Sequence, residues 1–281
     1  FSLFRIYADS LNRPAEYSPN NVPYKPKKHF EISMKELKEA DFTMVFGYPG
    51  RTQEYLTSFA VKQLVEEEDP LKISIQEKRL AVMKKYMDAD PQVKLNLTSK
   101  YARISNTYKK YIGESRGLKK VNAVQRKYEL EKRFAEWVNA DESRKVKYAT
   151  LLPELEKTYN AFAPYNKGMV LYNEAFTTLD FVGYINNFIQ FSSLMKRGIR
   201  LDSISFETKK MKKKVDDFFV SYRKYVDKEI AIQLIPIMLQ EYDEQYKPQL
   251  FYQIEKEKKY RNDLSKYVLD MFSERYLLDS A

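Results

Sequence analysis

One feature of the sequence constrains the fold more than any other: the spacing of apolar residues changes near Thr52. Beyond Thr52 the apolar residues recur with a period of about 3.6 residues, which places them on one face of an α-helix. No heptad pattern with paired flanking charges is sustained, which disfavours a two-stranded coiled coil. We therefore predict a bundle of long antiparallel helices. Three apolar stripes support this prediction: Val121, Val124, Tyr128, Ala135 and Val138; Phe181, Ile185, Phe188, Ile189 and Met195; and Leu250, Ile254, Leu264, Tyr267, Val268 and Met271.

Two Asp-Pro pairs predict the starts of helices. In Asp69-Pro70 and Asp90-Pro91 the aspartate can accept hydrogen bonds from the free amides of the first turn. Proline is tolerated at the first helical position because its missing N–H has no partner there. Gly113 and Gly117 predict a helix break or a tight packing point, since glycine costs a helix about 1 kcal/mol relative to alanine.

The part of the chain before Thr52 predicts short β-strands. Phe1–Tyr7 is short, aromatic and apolar, and Asp41–Phe46 is a second such run, ended by the turn residues Gly47–Gly50. Phe30–Ser33 predicts a further short strand. Ala8–Lys28 contains four prolines, which block helix and ladder hydrogen bonds, so it predicts an extended connector.

The chain has no cysteine, and His29 is its single histidine. Without cysteine it can form no disulfide, thiolate nucleophile or cysteine metal site. One histidine cannot form a two-histidine zinc or iron site. Because Lys27 and Lys28 precede His29, we expect His29 to face solvent, and we assign it no role. No catalytic, cofactor-binding or metal-binding residue is assigned, and no cofactor is expected.

Three other motifs resemble functional sites but have simpler interpretations. Gly47–Thr52 lacks the Gly-Lys-Ser/Thr ending of a phosphate-binding loop and predicts a turn. Glu66–Asp69 lacks the ligand spacing of a calcium loop, and we expect its carboxylates to be exposed to solvent. Trp137 lies near Phe134 and Val138 on one helical face, where we expect core packing rather than ligand stacking.

The formal net charge of +10 raises the question of an anionic partner. The basic cluster Lys209–Lys214 precedes Asp216 and Asp217 on a predicted amphipathic helix, so we interpret it as the solvated face of that helix. Because RNA-binding motifs are missing, we expect no nucleic-acid partner. A basic helical module that binds nucleic acid or an anionic membrane remains the alternative function, and a helical scaffold for partner proteins is a third. Ile230–Leu239, interrupted by Pro236, is too short for a membrane span and predicts a kinked, buried helix.

Several segments resemble a known family. Asp41–Thr52 reads Asp-Phe-Thr-Met-Val-Phe-Gly-Tyr-Pro-Gly-Arg-Thr and resembles the opening strand of the second barrel in bacterial trypsin-like proteases. Together with Tyr55–Ser58 it resembles the bacterial chymotrypsin-like dipeptidyl aminopeptidases, the family that contains dipeptidyl-peptidases 7 and 11. Ser105–Lys119 is similar to the helical insertion of that family. Pro14–Tyr17 and Asn21–Pro26 are similar to its connector.

This resemblance implies a chymotrypsin-type double β-barrel with a large helical domain inserted in it. On this basis we assign residues 1–65 to a remnant of the peptidase β-barrel domain: the end of the first barrel, the connector and the start of the second barrel. Residues 66–281 are assigned to the helical cap domain, which we expect to lie over the cleft between the barrels. The expected fold is mostly α, with a short N-terminal β segment.

The resemblance also implies a serine-type dipeptidyl-peptidase, which removes dipeptides from the free N-terminus of oligopeptides. In such enzymes a serine attacks the scissile carbonyl, a histidine takes the proton and an aspartate orients the imidazole. None of the three can be placed in this chain. We expect the aspartate immediately before Phe1, the histidine further upstream and the serine beyond Ala281. The chain is therefore expected to be an internal fragment that is inactive alone.

This resemblance implies oligopeptide substrates as partners of the parent enzyme. A second copy of the chain, in a homodimer, is a further candidate partner. We expect a location in the periplasm or cell envelope of a Gram-negative bacterium. Acidic and hydrophobic preferences at the scissile residue both occur in the family, and no residue of this chain decides between them.

Overall fold

Helices form most of the chain, and one small β element precedes them, in the computed structural model of the protein. The mostly α prediction is therefore confirmed. The chain divides into two units, residues 1–52 and 53–281. The assignment of residues 1–65 to a barrel remnant and 66–281 to a cap stays a prediction. The structure describes residues 4–44, 47, 50, 52–198, 200–257, 259–260 and 264–273.

The first unit contains a short antiparallel β-ribbon. Strand β1 (Tyr7–Ala8) pairs with strand β2 (Val22–Pro23), so that Tyr7 lies opposite Pro23 and Ala8 opposite Val22. The predicted strand Phe1–Tyr7 is thus confirmed at its last residue only and was wrong for Phe4–Ile6, which have no strand structure. Phe1–Leu3 lie outside the described residues.

The proline-rich connector folds back on itself, so the prediction that Ala8–Lys28 is simply extended was wrong. The Asn12 side chain bridges the two arms of the ribbon: its Nδ2 donates to the carbonyl of Lys25 and its Oδ1 accepts from the Lys25 N–H, both at 2.8 Å. An asparagine amide can replace a backbone ladder bond in this way, because it carries one donor and one acceptor.

Two predicted strands do not form in the described part of the first unit. Phe30–Ser33 and Asp41–Met44 have no strand structure, and Val45 and Phe46 lie outside the described residues. Phe30 and Phe42 are 99% and 88% exposed. A strand requires ladder hydrogen bonds to a neighbour. No described segment pairs with either run, so an apolar sequence alone was not enough.

The second unit contains eleven α-helices within the described residues, as the bundle prediction expected. Two π-helical segments interrupt the α-helical geometry, Leu64–Glu68 (the first π segment) and Tyr172–Phe176 (the second π segment), and Glu244–Tyr246 is a 3₁₀ turn. The α-helices are α1 (Ser58–Gln63), α2 (Asp69–Ala89), α3 (Pro91–Lys120), α4 (Ala123–Asn139), α5 (Glu142–Tyr148), α6 (Leu151–Leu171), α7 (Asp180–Lys196), α8 (Leu201–Ser221), α9 (Lys224–Glu241), α10 (Gln249–Lys256) and α11 (Leu264–Ser273).

The two Asp-Pro pairs have different outcomes. Asp90 caps α3 as predicted: its Oδ1 accepts the N–H of Gln92 at 2.7 Å and of Val93 at 3.4 Å. The helix start predicted at Asp69-Pro70 was wrong, because the chain stays helical from α1 through the first π segment into α2. A hydrogen bond from the Asp69 N–H to the carbonyl of Leu64 closes the wide π turn, which places Pro70 inside a longer helical run.

Helix α3 also contradicts the prediction of a break or close contact at Gly113 and Gly117. It runs without interruption from Pro91 to Lys120. A Cβ atom added to either glycine would meet no atom within 4 Å. Both glycines are exposed positions on a regular helix.

Helix α9 lies at the centre of the core of the second unit, packed against α2, α11 and the second π segment. The buried-helix prediction for Ile230–Leu239 is confirmed, and Pro236 lies inside α9. Within the described residues, none of the helices has both the length and the apolarity needed to cross a membrane. Six side chains of the run Ile230–Leu239 are at most 2% exposed: Ile230, Ala231, Leu234, Ile235, Met238 and Leu239.

Candidate functional site

The described residues contain no cluster of three His, Asp or Glu side chains that could hold a metal ion. His29 is exposed, as expected. The chemically distinctive groups of the helical unit are instead two buried carboxylates and one long groove. Each is built by helices that are distant in sequence.

The first buried carboxylate is Asp227 near the start of α9, which is 2% exposed. Its two oxygens accept the backbone N–H groups of Asp180 and Phe181, both at 2.9 Å. These are the first amides of α7, which have no partner within their own helix. Asp227 therefore caps a helix to which it does not belong, and its negative charge lies at the positive end of the helix dipole.

Charged side chains from two further helices surround this cap. Lys100 of α3 forms an ion pair with Asp180 at 2.5 Å. Arg79 of α2 is 6% exposed and donates to the carbonyl of Thr178 at 2.7 Å, just before α7. We call Arg79, Lys100, Asp180 and Asp227 the Asp227 junction. Burial is the main cause that raises the pKa of Asp227, and the neighbouring carboxylate of Asp180 raises it further.

A polar chain next to the Asp227 junction joins α2 and α3 to the second π segment. Gln76 of α2 donates from Nε2 to Glu174 at 3.0 Å, and its Oε1 accepts from the Thr107 hydroxyl at 3.1 Å. Such contacts fix the helices relative to one another, because moving a helix would leave buried polar groups without hydrogen bonds and would lower the stability of the fold. The centre of the helical unit is therefore held by polar bonds as well as by apolar packing.

The second buried carboxylate, Asp69, is 0% exposed and is the first residue of α2, directly after the first π segment. Neither of its oxygens has a hydrogen-bond partner among the described residues. Burial, followed by the nearby Glu114 carboxylate, raises its pKa to about 6. The expectation that the carboxylates of Glu66–Asp69 are solvated is confirmed for Glu66 and Glu67 and was wrong for Asp69. The helix continues through this position and turns Asp69 inward.

An open groove follows one face of α6. Opposite its first part lie α1, α4 and α5, and opposite its last part lie the first π segment, α2 and α9. It consists of three cavities of about 430, 420 and 630 Å³. The first two share Glu156, and the last two share Ala163, so the three cavities follow one another along α6. Ser58 fixes α1 to α4 through a bond from its N–H to Glu131 Oε1 at 2.6 Å. We call this row of cavities the α6 groove.

Trp137 contradicts the prediction of core packing, since it is 46% exposed. Its ring lies 5.9 Å from that of Phe134 and 6.0 Å from that of Tyr148. The guanidinium of Arg144 covers the ring at 4.3 Å, a cation–π contact. The aromatic side of α4 packs against α5 at the surface instead of against the core.

The lysines of the Lys209–Lys214 cluster are exposed on α8, as predicted for the solvated face of a helix. Lys210 forms an ion pair with Glu207 at 3.7 Å, and Lys214 donates to Asn187 at 3.1 Å. Part of this positive charge is therefore already engaged within the protein.

Comparison with known proteins gives one family over the whole chain. A family model described as Peptidase S46 matches residues 1–281. The Asp/Glu-specific dipeptidyl-peptidase of Flavobacterium psychrophilum is 40% identical over 242 residues, which are 84% of this chain and 33% of that protein. Dipeptidyl-peptidase 7 of Porphyromonas gingivalis is 32% identical over 267 residues, which are 95% of this chain and 36% of that protein. The chain thus spans about a third of the length of these relatives.

Solved structures show the same fold. The crystal structure of DPP11 from Porphyromonas endodontalis in complex with the dipeptide Arg-Glu matches with a TM-score of 0.68 at 22% identity. The match covers 96% of this chain and 39% of that one. A second structure of the same protein gives a TM-score of 0.61 at 23% identity. At these identities the likeness concerns the fold.

Proposed function

Because the chain belongs to the peptidase S46 family, we propose that it is part of a serine dipeptidyl-peptidase that removes dipeptides from the N-terminus of oligopeptides. The observation that carries this proposal is the family match over residues 1–281. The names of these relatives support the reaction, since both are dipeptidyl-peptidases, one of them specific for Asp or Glu. The substrates of the parent enzyme are accordingly oligopeptides with a free N-terminus.

In this proposal residues 66–281 are the cap over the catalytic cleft, and residues 1–65 belong to the adjoining barrels. A cap of this kind excludes long or folded chains and shields the acyl-enzyme from bulk water. The Asp227 junction supports the role, because it fastens four helices into a unit that can move as one body. The chain itself supplies no triad residue and is inactive alone.

The proposed location of the parent enzyme follows from the same resemblance. We place it in the periplasm or cell envelope of a Gram-negative bacterium, as a homodimer. Fractionation of cells that express the full-length protein tests the location, and sedimentation of the purified enzyme tests the dimer. Recovery of the enzyme with cytoplasmic markers would overturn the proposed location, and sedimentation as a monomer would overturn the proposed dimer.

The cap role is tested by replacing residues 66–281 of the full-length enzyme with a short Gly-Ser linker. Substrates are peptides of increasing length that share one N-terminal dipeptide, in two series with an acidic or an apolar second residue. We expect the ratio of kcat/KM for long over short peptides to rise in the truncated enzyme, while the rate of acylation on the shortest peptide changes less. An unchanged ratio contradicts the cap role.

A point variant keeps this test decisive if the truncated enzyme does not fold. Lys100→Met removes the ion pair with Asp180 at the Asp227 junction while leaving the helices in place. We expect this variant to shift the length ratio in the same direction, by a smaller factor. Glu142→Gln on α5, whose side chain is 84% exposed, is the matched control and should leave the ratio unchanged.

A further inference from the structure

We infer that the α6 groove binds an extended peptide that carries an apolar side chain at one end and cationic groups at the other. This inference goes beyond the proposed function, because binding in the α6 groove requires no catalytic residue. It rests on the length of the groove, on the difference between its two ends and on the polar groups along its floor.

The α6 groove has the dimensions of an extended peptide. Six of the α6 residues that line it recur every three or four positions, so these six share one face of the helix. From Leu152 to Val170 this face is about 27 Å long, at ~1.5 Å per residue. An extended chain rises ~3.3 Å per residue, so about eight residues would fill the groove. The α6 residues concerned are Leu152, Glu156, Asn160, Ala163, Lys167 and Val170.

One end of the α6 groove is aromatic and apolar. Phe59 of α1, Phe134 and Val138 of α4, and Tyr148 of α5 line the first cavity. Tyr128 lines both this cavity and the next and is 56% exposed. An apolar side chain of a peptide would be removed from water here, which favours binding.

The charge of the α6 groove is opposite to that of the chain as a whole. Six acidic and three basic side chains line the three cavities, whereas the chain carries a formal charge of +10. At the far end Glu66 and Glu67 are exposed, and neither forms an ion pair with another described residue. Two free carboxylates at the mouth of a cavity favour the cationic groups of a ligand.

A buried amide lies on the floor of the α6 groove. Gln63 lines the middle cavity, is 8% exposed, and its Nε2 has no hydrogen-bond partner among the described residues. The terminal torsion of glutamine is soft. Its rotation would let this amide donate to a backbone carbonyl of the peptide. An unpaired buried donor that gains a partner in this way favours binding.

The test measures binding of fluorescein-labelled octapeptides to the full chain by fluorescence anisotropy. One peptide has phenylalanine near its N-terminus and two lysines at its C-terminus, a second has the reverse order, and two more carry glutamates in place of the lysines. We expect saturable binding of at least one lysine peptide and binding about tenfold weaker for its glutamate counterpart, as expected for a few exposed charge pairs.

Two double variants with the same change in net charge locate the binding. Glu66→Gln with Glu67→Gln should weaken binding about three- to tenfold. Asp216→Asn with Asp217→Asn, two adjacent exposed carboxylates on α8, should leave it unchanged. Ala163→Phe narrows the junction between two cavities and should abolish binding in a chain whose helical circular dichroism is unchanged. If Ala163→Phe does not fold, the two double variants still decide the question.

Three outcomes would overturn the inference. These are the absence of saturable binding at millimolar chain concentration, equal affinity for lysine and glutamate peptides, and equal weakening by the two double variants. Sedimentation of the chain tests whether a second copy of the chain, rather than a peptide, occupies the α6 groove. A dimer that the Glu66→Gln, Glu67→Gln variant dissociates would assign the α6 groove to a second copy of the chain.

Discussion

Single carboxylates hold helices of this bundle in place. Asp227 accepts the first two amides of α7 from a position on α9, and Asp90 performs the same task for its own helix. The Asp90 cap could be predicted because the capping side chain and the amides are neighbours in sequence. Asp227 was missed because its partners lie 46 and 47 residues away. Its position in the apolar helix α9 was the available signal, since buried charges are rare without partners.

Replacing Asp227 tests whether this cap stabilises the bundle. We expect Asp227→Ala to lower the free energy of unfolding by about 2–4 kcal/mol, because it leaves two N–H groups without an acceptor in a buried site. Urea denaturation of the full chain measures the change. Asp216→Ala, an exposed carboxylate on α8, is the control and should cost less than about 0.5 kcal/mol. Equal effects of the two substitutions would show that the cap contributes nothing.

Asp69 makes the stability of the chain depend on pH. Its pKa is raised to about 6 in the folded protein from an ordinary value of 3.8. Between these values the folded state binds more protons than the unfolded state, so stability falls as pH rises. The stabilisation from protonated Asp69 is fully present below pH 3.8 and is lost as the pH rises to about 6. The loss is about 2–3 kcal/mol.

Asp69→Asn should therefore flatten the dependence of stability on pH. We expect the decline of the unfolding free energy between about pH 4 and pH 7 to be smaller in this variant than in the unaltered chain. Urea denaturation at several pH values measures it. Glu66→Gln changes an exposed carboxylate of the same segment and should leave the profile unaltered. A parallel decline in Asp69→Asn and the unaltered chain would contradict the account.

At the scale of helices and strands, local patterns were reliable where the structure depends on local bonds. The period of about 3.6 residues identified the helical region, because helix hydrogen bonds join residues four apart. The local pattern could not show whether the strands predicted at Phe30–Ser33 and Asp41–Phe46 form, since a strand needs a distant partner. The stripe on α4 was helical but not fully buried, with Tyr128 56% exposed. Which face of a helix meets the core depends on the whole packing arrangement.

The glycines of the helices give a prediction at this scale. Gly113→Ala and Gly117→Ala should each stabilise the full chain by about 0.5–1 kcal/mol, because alanine favours the helix and its methyl group meets open space. Gly168→Ala is the contrasting case. Its Cβ would lie 2.8 Å from Cε1 of Tyr242, whose hydroxyl donates to the carbonyl of Gly168 at 2.7 Å.

We expect Gly168→Ala to destabilise the chain, since the ring of Tyr242 must move and its hydrogen bond weakens. Urea denaturation of the three variants separates the effects of helix propensity and of packing. Stabilisation by Gly168→Ala, or destabilisation by Gly113→Ala and Gly117→Ala, would mean that the packing of α3 and α6 differs from the one described.

At the scale of the whole molecule, the sequence predicted the helical bundle and, through the resemblance of Asp41–Thr52 and Ser105–Lys119, the family. It did not predict the α6 groove. The groove is lined by residues of α1, α2, α4, α5, α6, α9 and the first π segment that are up to about 180 positions apart, and packing between such helices leaves no periodic signal. The composition did not predict the charge of the α6 groove either, because the net charge of the chain is +10 whereas the groove is lined mainly by acidic side chains.

The most direct test of the central claim is the release of dipeptides from N-terminally unblocked oligopeptides by the full-length enzyme and by this chain alone. The account predicts release by the full-length enzyme, abolished by a serine-protease inhibitor and by blocking the N-terminus, and none by the isolated chain at equal concentration. Inhibitor-sensitive release by the isolated chain, or no release by the full-length protein, would contradict the assignment of this chain to the helical cap of a serine dipeptidyl-peptidase.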